Sequence, residues 1–129
     1  MTTSTDKTAL LIAIDFDQTY TADPILFNEF MGYAKFRGHE VVICTVRNYP
    51  KDLTHTLTHI RNMGFPVYFT DGLPKRKTME ALGKKVDIWI DDMPEVILEG
   101  SKTSAVDLAK WREDQHGILK PYCLRELNV

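Results

Sequence analysis

No stretch of this 129-residue sequence approaches the ~20 consecutive apolar residues that a membrane span requires. The opening residues Met1 to Lys7 are polar and lack the apolar centre of a secretory leader, so the expectation is a cytoplasmic protein with no membrane partner. Cysteine is scarce. Cys44 and Cys123 both sit in apolar surroundings without metal-ligand spacing, which argues against a disulfide scaffold or a thiolate zinc site and for buried free thiols in a reducing compartment. Charge of one sign is lacking as well: 16 Lys and Arg face 18 Asp and Glu, a formal net charge of -2, so any anion binding must be local. There is no internal repeat and no low-complexity segment. What remains, 43% apolar and 26% charged residues, is ordinary for a folded domain with one core. The expected division is a disordered tail over residues 1–7 and a single domain over residues 8–129.

The apolar run Leu10 to Ile14 leads straight into Asp15-Phe16-Asp17-Gln18-Thr19, which reads as a buried strand delivering carboxylates at its C-terminal end. Asp23-Pro24 then offers a helix N-cap and first position. Leu26, Phe27, Phe30, Met31 and Ala34 recur at helical spacing, predicting a broad face packed on a sheet, and Gly38 is placed to stop the helix. Glu40 to Thr45 is a second buried strand ending in a hydroxyl. Pro50 is expected to open a helix carrying Leu53, Leu57 and Ile60, closed by Gly64. Pro66 to Thr70 is a third strand, Asp71-Gly72 its turn, and Pro74 to Leu82 a short helix ending at Gly83. Val86 to Ile90 is a fourth strand running into Asp91-Asp92, with a helix over Pro94 to Glu99. A helix over Ser104 to Asp114 and an edge strand over Gly117 to Leu124 complete the reading. Alternation of this kind implies an α/β fold, Rossmann-like and doubly wound: a mostly parallel sheet with right-handed crossovers and helices on both faces.

In a parallel sheet all the strand ends lie on one edge, so Asp15 and Asp17, then Thr45, then a lysine of Lys75-Arg76-Lys77, then Asp91 and Asp92 can converge. In type and order these groups resemble the motifs of the haloacid dehalogenase-like (HAD) superfamily of phosphatases, over about residues 8 to 98. Lys77-Thr78 followed by Val86-Asp-Ile-Trp-Ile-Asp-Asp-Met-Pro94 resembles in particular the 5'(3')-deoxyribonucleotidase and polynucleotide 3'-phosphatase branches. The resemblance implies a Mg²⁺-dependent phosphomonoester hydrolase that forms an aspartyl-phosphate. Asp15 would be the nucleophile, and Asp17 the acid and base. Thr45 would donate to the phosphoryl group, and Lys77, favoured over Lys75, would offset negative charge. Mg²⁺ would be held by the Asp15 carboxylate, the Asp17 backbone carbonyl, Asp91 and Asp92. The chemistry suits these residues: hard oxygen ligands fit Mg²⁺, and a dianionic phosphate repels a carboxylate nucleophile unless cations are present.

No segment between the first motif and the first helix, or between Phe65 and Pro74, has room for a cap domain. The site should therefore be open, suited to a nucleotide, a nucleic-acid 3'-phosphate or another small phosphomonoester. Closure would fall to the flap at Gln18 to Ala22 or to a second copy of the chain. Arg47 and Asn48 are the candidate substrate contacts, and Tyr20 and Tyr49 are either base-stacking platforms or loop anchors. His55 and His59, four apart, are read as a solvated face. The alternative reading is a non-catalytic HAD-like module or a receiver-like phosphate-binding domain. A receiver, however, carries its acidic pair first, its phosphorylated Asp in mid-chain and its Lys last, an order this chain does not follow.

Overall fold

The computed structural model describes residues 9–99. In chain order it contains β1 (Leu11–Ile14), a 3-10 turn (Tyr20–Ala22), α1 (Pro24–Phe36), β2 (Glu40–Thr45), α2 (His55–Asn62), β3 (Val67–Phe69), α3 (Lys75–Ala81), β4 (Ile88–Ile90) and α4 (Glu95–Leu98). All four strands are parallel, in the order β3-β2-β1-β4. The described residues thus have the α/β architecture that the alternation of apolar runs and helical periods predicts. The first helix begins where Asp23 accepts from the Leu26 N–H at 3.1 Å, and it ends at Gly38, whose φ of 93° is a conformation that glycine adopts freely.

β1 and β2 are buried along nearly their whole length, which is why both read as continuous apolar runs. Packed on them are Met31 and Ala34 of α1, Leu57 and Ile60 of α2, and Met79 of α3. The register decides what happens at the edge. Ile14 lies opposite Ile43 on one side and Ile90 on the other, so the chain leaves β1 at Asp15 level with Cys44 and Asp91. The path moves outward from β1 through β2 to β3, then returns to the far side of β1 as β4. This reversal of direction beside β1 is the place where open parallel sheets form crevices at their carboxyl ends.

Two local expectations are corrected. Pro50 does not open α2: residues 49–52 form a turn, in which the Asp52 N–H donates to the Asn48 carbonyl and the Asp52 carboxylate accepts from the Asn48 N–H. The helix starts at His55, five residues later, capped by the Thr54 hydroxyl, which accepts from the Leu57 N–H. The broad sheet-facing side expected of α1 is also narrower than its sequence suggests. Phe27, Met31 and Ala34 face the core, whereas Leu26 and Phe30 are exposed. The expected tail at residues 1–7, the helix over 104–114 and the strand over 117–124 lie outside the described residues. No helix among the described residues is long and apolar enough to cross a membrane.

Candidate active site

Asp15 follows directly on β1, and its N–H donates to the Ile90 carbonyl, so the backbone is still clamped in the sheet where the carboxylate begins. Beyond it the chain turns sharply. Gln18 has a φ of 65°, a left-handed conformation uncommon for a residue with a side chain, and its N–H is taken by the Thr21 hydroxyl. That reversal brings Thr19 back beneath Asp15. The Thr19 hydroxyl lies 3.3 Å from Asp15 Oδ2 and 3.3 Å from Asp92 Oδ1, and it accepts from the Asp92 N–H at 3.2 Å. Its single proton serves one carboxylate at a time, and the hydroxyl ties the end of β1 to the end of β4.

Lys75, the first residue of α3, is the cation at the centre. Its Nζ donates to Asp15 Oδ1 at 2.9 Å and to Asp91 Oδ2 at 2.6 Å, with the side chain 1% exposed. Lys77, the lysine expected here, is exposed and points away. The reason is helical geometry. Lys75, Thr78 and Met79 share the inward face of α3, and a residue two positions on from Lys75 is turned to the opposite side.

Burial pushes the Asp15 carboxyl up to about 6; Lys75 works against that rise, and the neighbouring Asp92 and Asp91 carboxylates add to it. Burial opposes the Lys75 ammonium in turn, but the neighbouring Cys44, Asp15 and Asp91 together outweigh it and raise its pKa. Asp15, Asp91 and Asp92 each offer a carboxylate oxygen within 4.8 Å of the others, a hard-oxygen set of the kind a divalent cation takes. Asp91 is further fixed by the Met93 N–H at 2.9 Å.

Asp17 is handled differently. Both its oxygens are held by Arg47, Nε at 2.9 Å and Nη2 at 2.7 Å, a bidentate pair. Arg47 also donates to the Asp52 carbonyl at 3.0 Å and lies over the Phe16 ring. Hydrogen bonding to Arg47 lowers the Asp17 pKa, against a smaller opposing effect of burial. The Asp17 side chain is therefore turned to the rim, and of that residue only the backbone carbonyl remains for the role expected beside a metal.

Thr45 is fully buried at the end of β2, its hydroxyl accepting from the Arg47 N–H at 3.3 Å. Asn48 is placed on the same loop through its backbone bonds to Asp52. Tyr20 is buried, stacked on Phe16, with its hydroxyl donating to Asn28 at 2.6 Å, and Tyr49 packs on Phe69. Both tyrosines are thus anchors rather than platforms. Cys44 is buried beneath the site, and burial pushes its thiol up to about 12, which leaves it without nucleophilic character near neutrality.

Two contributors lie outside the candidates that the sequence offers: Thr19, at the end of the Asp-x-Asp-x-Thr run, and Asp52, which shapes the Arg47 loop. Between the two lysines left open, the i, i+3, i+4 relation of Lys75 to the inward Thr78 and Met79 is the signal that separates them. No family model, curated protein or solved structure matches the chain.

Proposed function

We propose that the chain is a phosphomonoester hydrolase of the HAD-like type, capless and Mg²⁺-dependent, with a nucleotide, a nucleic-acid 3'-phosphate or another small phosphomonoester as substrate. The observation that carries the reading is the buried Lys75 ammonium bridging Asp15 and Asp91, with Asp92 and Thr19 closing the cluster. A carboxylate can attack a phosphate dianion only where positive charge is fixed beside both, and this geometry fixes it before substrate arrives. The order of the motifs along the chain, which resembles the HAD pattern, supports the same reading.

In this mechanism an Asp15 carboxylate oxygen forms the new bond to phosphorus as the bond to the leaving oxygen breaks. Asp17 delivers a proton to that oxygen. Asp17 then takes a proton from the water that attacks the aspartyl-phosphate, which releases inorganic phosphate and regenerates the Asp15 carboxylate. Lys75 holds Asp15 in place and offsets the gathering negative charge. Thr45 donates to the phosphoryl oxygens. Asp15, Asp91, Asp92 and the Asp17 carbonyl would hold Mg²⁺, which supplies Lewis-acid neutralisation of the phosphoryl group. The Arg47 clamp keeps Asp17 ionised, so Asp17 can act as an acid only once the guanidinium is drawn off. A second phosphate or a base edge on the substrate is chemically suited to do that.

The deciding experiment is a phosphatase screen of the full chain over nucleotides, sugar phosphates and 3'-phosphorylated oligonucleotides, in Mg²⁺ and in EDTA. Turnover should require Mg²⁺ and disappear in Asp15→Asn while the fold is retained. Hydrolysis at near wild-type rate by Asp15→Asn would remove the covalent mechanism. Independently of turnover, Mg²⁺ should raise the melting temperature of the wild type and fail to do so in Asp91→Ala. An unchanged rise would place the ion elsewhere.

A further inference from the structure

One residue holds both of the expected substrate contacts. Asp52 donates its N–H to the Asn48 carbonyl at 2.8 Å, accepts from the Asn48 N–H through Oδ2 at 2.9 Å, and accepts from Arg47 Nη1 through its own carbonyl at 3.0 Å. The first two bonds close residues 48–52 into a ring, and the ring aims the third. A carboxylate on a short stem suits this position, because it can turn back to a nearby main-chain N–H as Asp and Asn do in turns. The Arg47 backbone is fixed as well: its N–H donates to the Thr45 hydroxyl at 3.3 Å, and its carbonyl accepts from the Asp71 N–H at 3.1 Å.

The side chains of the Arg47 and Asp17 pair are 27% and 46% exposed. An ion pair so open to water holds weakly by itself, since solvent screens the charges and a long side chain has other rotamers to visit. Here the guanidinium is gripped from two sides, Nε and Nη2 by Asp17 and Nη1 by the Asp52 carbonyl. Three of its five N–H donors are thereby engaged, which leaves one on Nη1 and one on Nη2 for a substrate. We propose that Asp52 is a positioning residue: its ring keeps the Arg47 guanidinium at the rim of the site, where a second polar or anionic group of the substrate can take it, and so sets how strongly the site discriminates between substrates. The role in discrimination rests on the phosphatase reading; the hold on Arg47 does not. Asp52 acts here as an acceptor and not as a charge. Asp52→Asn keeps an oxygen for the Asn48 N–H, whereas Asp52→Ala removes it and loosens the ring.

Nitrogen NMR of the full chain tests the hold through the Arg47 Nε–H signal, assigned by its disappearance in Arg47→Lys. That proton should exchange slowly with water in the wild type and in Asp52→Asn, and about tenfold or more faster in Asp52→Ala. Discrimination is read as kcat/KM for the best nucleotide or 3'-phosphorylated oligonucleotide divided by kcat/KM for p-nitrophenyl phosphate. The ratio should fall about fivefold or more in Asp52→Ala, through KM, and stay within about twofold in Asp52→Asn. A merely structural loss would lower both substrates alike and leave the ratio in place. Unchanged exchange in Asp52→Ala overturns the hold. Equal acceleration in Asp52→Asn and Asp52→Ala overturns the ring as its cause and assigns it to the carboxylate charge. Faster exchange with an unchanged ratio overturns the role in discrimination. A chain that hydrolyses none of these esters overturns the phosphatase reading and that role with it, while the exchange rates still decide the hold on Arg47.

Discussion

Asp15 and Asp17 are two residues apart and chemically identical, yet the fold drives them in opposite directions. Asp15 sits at the buried end of β1, where burial pushes its carboxyl up to about 6 in spite of Lys75. Asp17 stands at the rim in a bidentate pair with Arg47, and that pair lowers its pKa. The difference teaches where each cation is needed. The inner lysine offsets the cost of holding carboxylates out of water, whereas the outer arginine merely competes with solvent. The shifts run against the roles proposed for the two acids, so in that mechanism cations must lower the Asp15 carboxyl and Arg47 must leave before Asp17 can carry a proton.

The largest effect should come from removing the inner cation. Lys75→Ala leaves Asp15 and Asp91 facing each other without a counter-ion, at an expected cost of ~3–5 kcal/mol in denaturant unfolding, reduced to the extent that one carboxylate takes up a proton. Lys77→Ala, on the exposed side of the same helix, should stay within ~0.5 kcal/mol. Equal effects from the two would dissolve the distinction between a buried charge cluster and a solvated one.

That distinction was only half legible beforehand. The strands could be read because burial on both faces leaves uninterrupted apolar runs, and β2 falls at Glu40–Thr45 as its sequence indicates. α1 could be read from the Asp23 cap and the Gly38 stop. The side-chain bond between Asp17 and Arg47 could not, because the two are 30 positions apart and the direction of each depends on loops whose turns are set by Gln18 and Asp52. Which of Lys75 and Lys77 turns inward depends on the phase of a seven-residue helix, where one misplaced start rotates every side chain. Leu26 and Phe30 carried the right period but lie on the outer side, since periodicity reports an apolar face without saying what covers it.

A pH series in EDTA should sharpen the contrast. The folded-state pKa of Asp15 is raised from 3.8 to about 6, so its contribution to stability is fully present below pH 4 and is lost as pH rises through 6. The full gap is worth up to about 3 kcal/mol. Asp17 has the opposite sign: its folded pKa is depressed, so its contribution is present above 3.8 and is lost as pH falls through the folded value. Metal-free stability should accordingly show a decline between pH 4 and 7 that Asp15→Asn flattens, and a loss at the acid end that Asp17→Asn removes. A decline that persists in Asp15→Asn would assign the titration to another group.

The smallest stability change, and the most selective change in activity, is expected from Arg47→Ala. The pair is partly exposed, so its loss should cost under ~1 kcal/mol of folding free energy. For catalysis the consequences divide. If the guanidinium leaves Asp17 to engage a second phosphate or a base edge, then kcat/KM for the true substrate should fall by ~1.5–3 kcal/mol, the worth of a charged hydrogen bond. p-Nitrophenyl phosphate, which offers no such group, should lose far less. With the clamp gone, Asp17 should also hold its proton to higher pH, moving the acid-dependent limb of the rate profile upward. Equal loss on both substrates would put Arg47 on the reacting phosphate. No loss on either, with the limb still shifted, would leave it as the residue that sets the charge of Asp17 and nothing more.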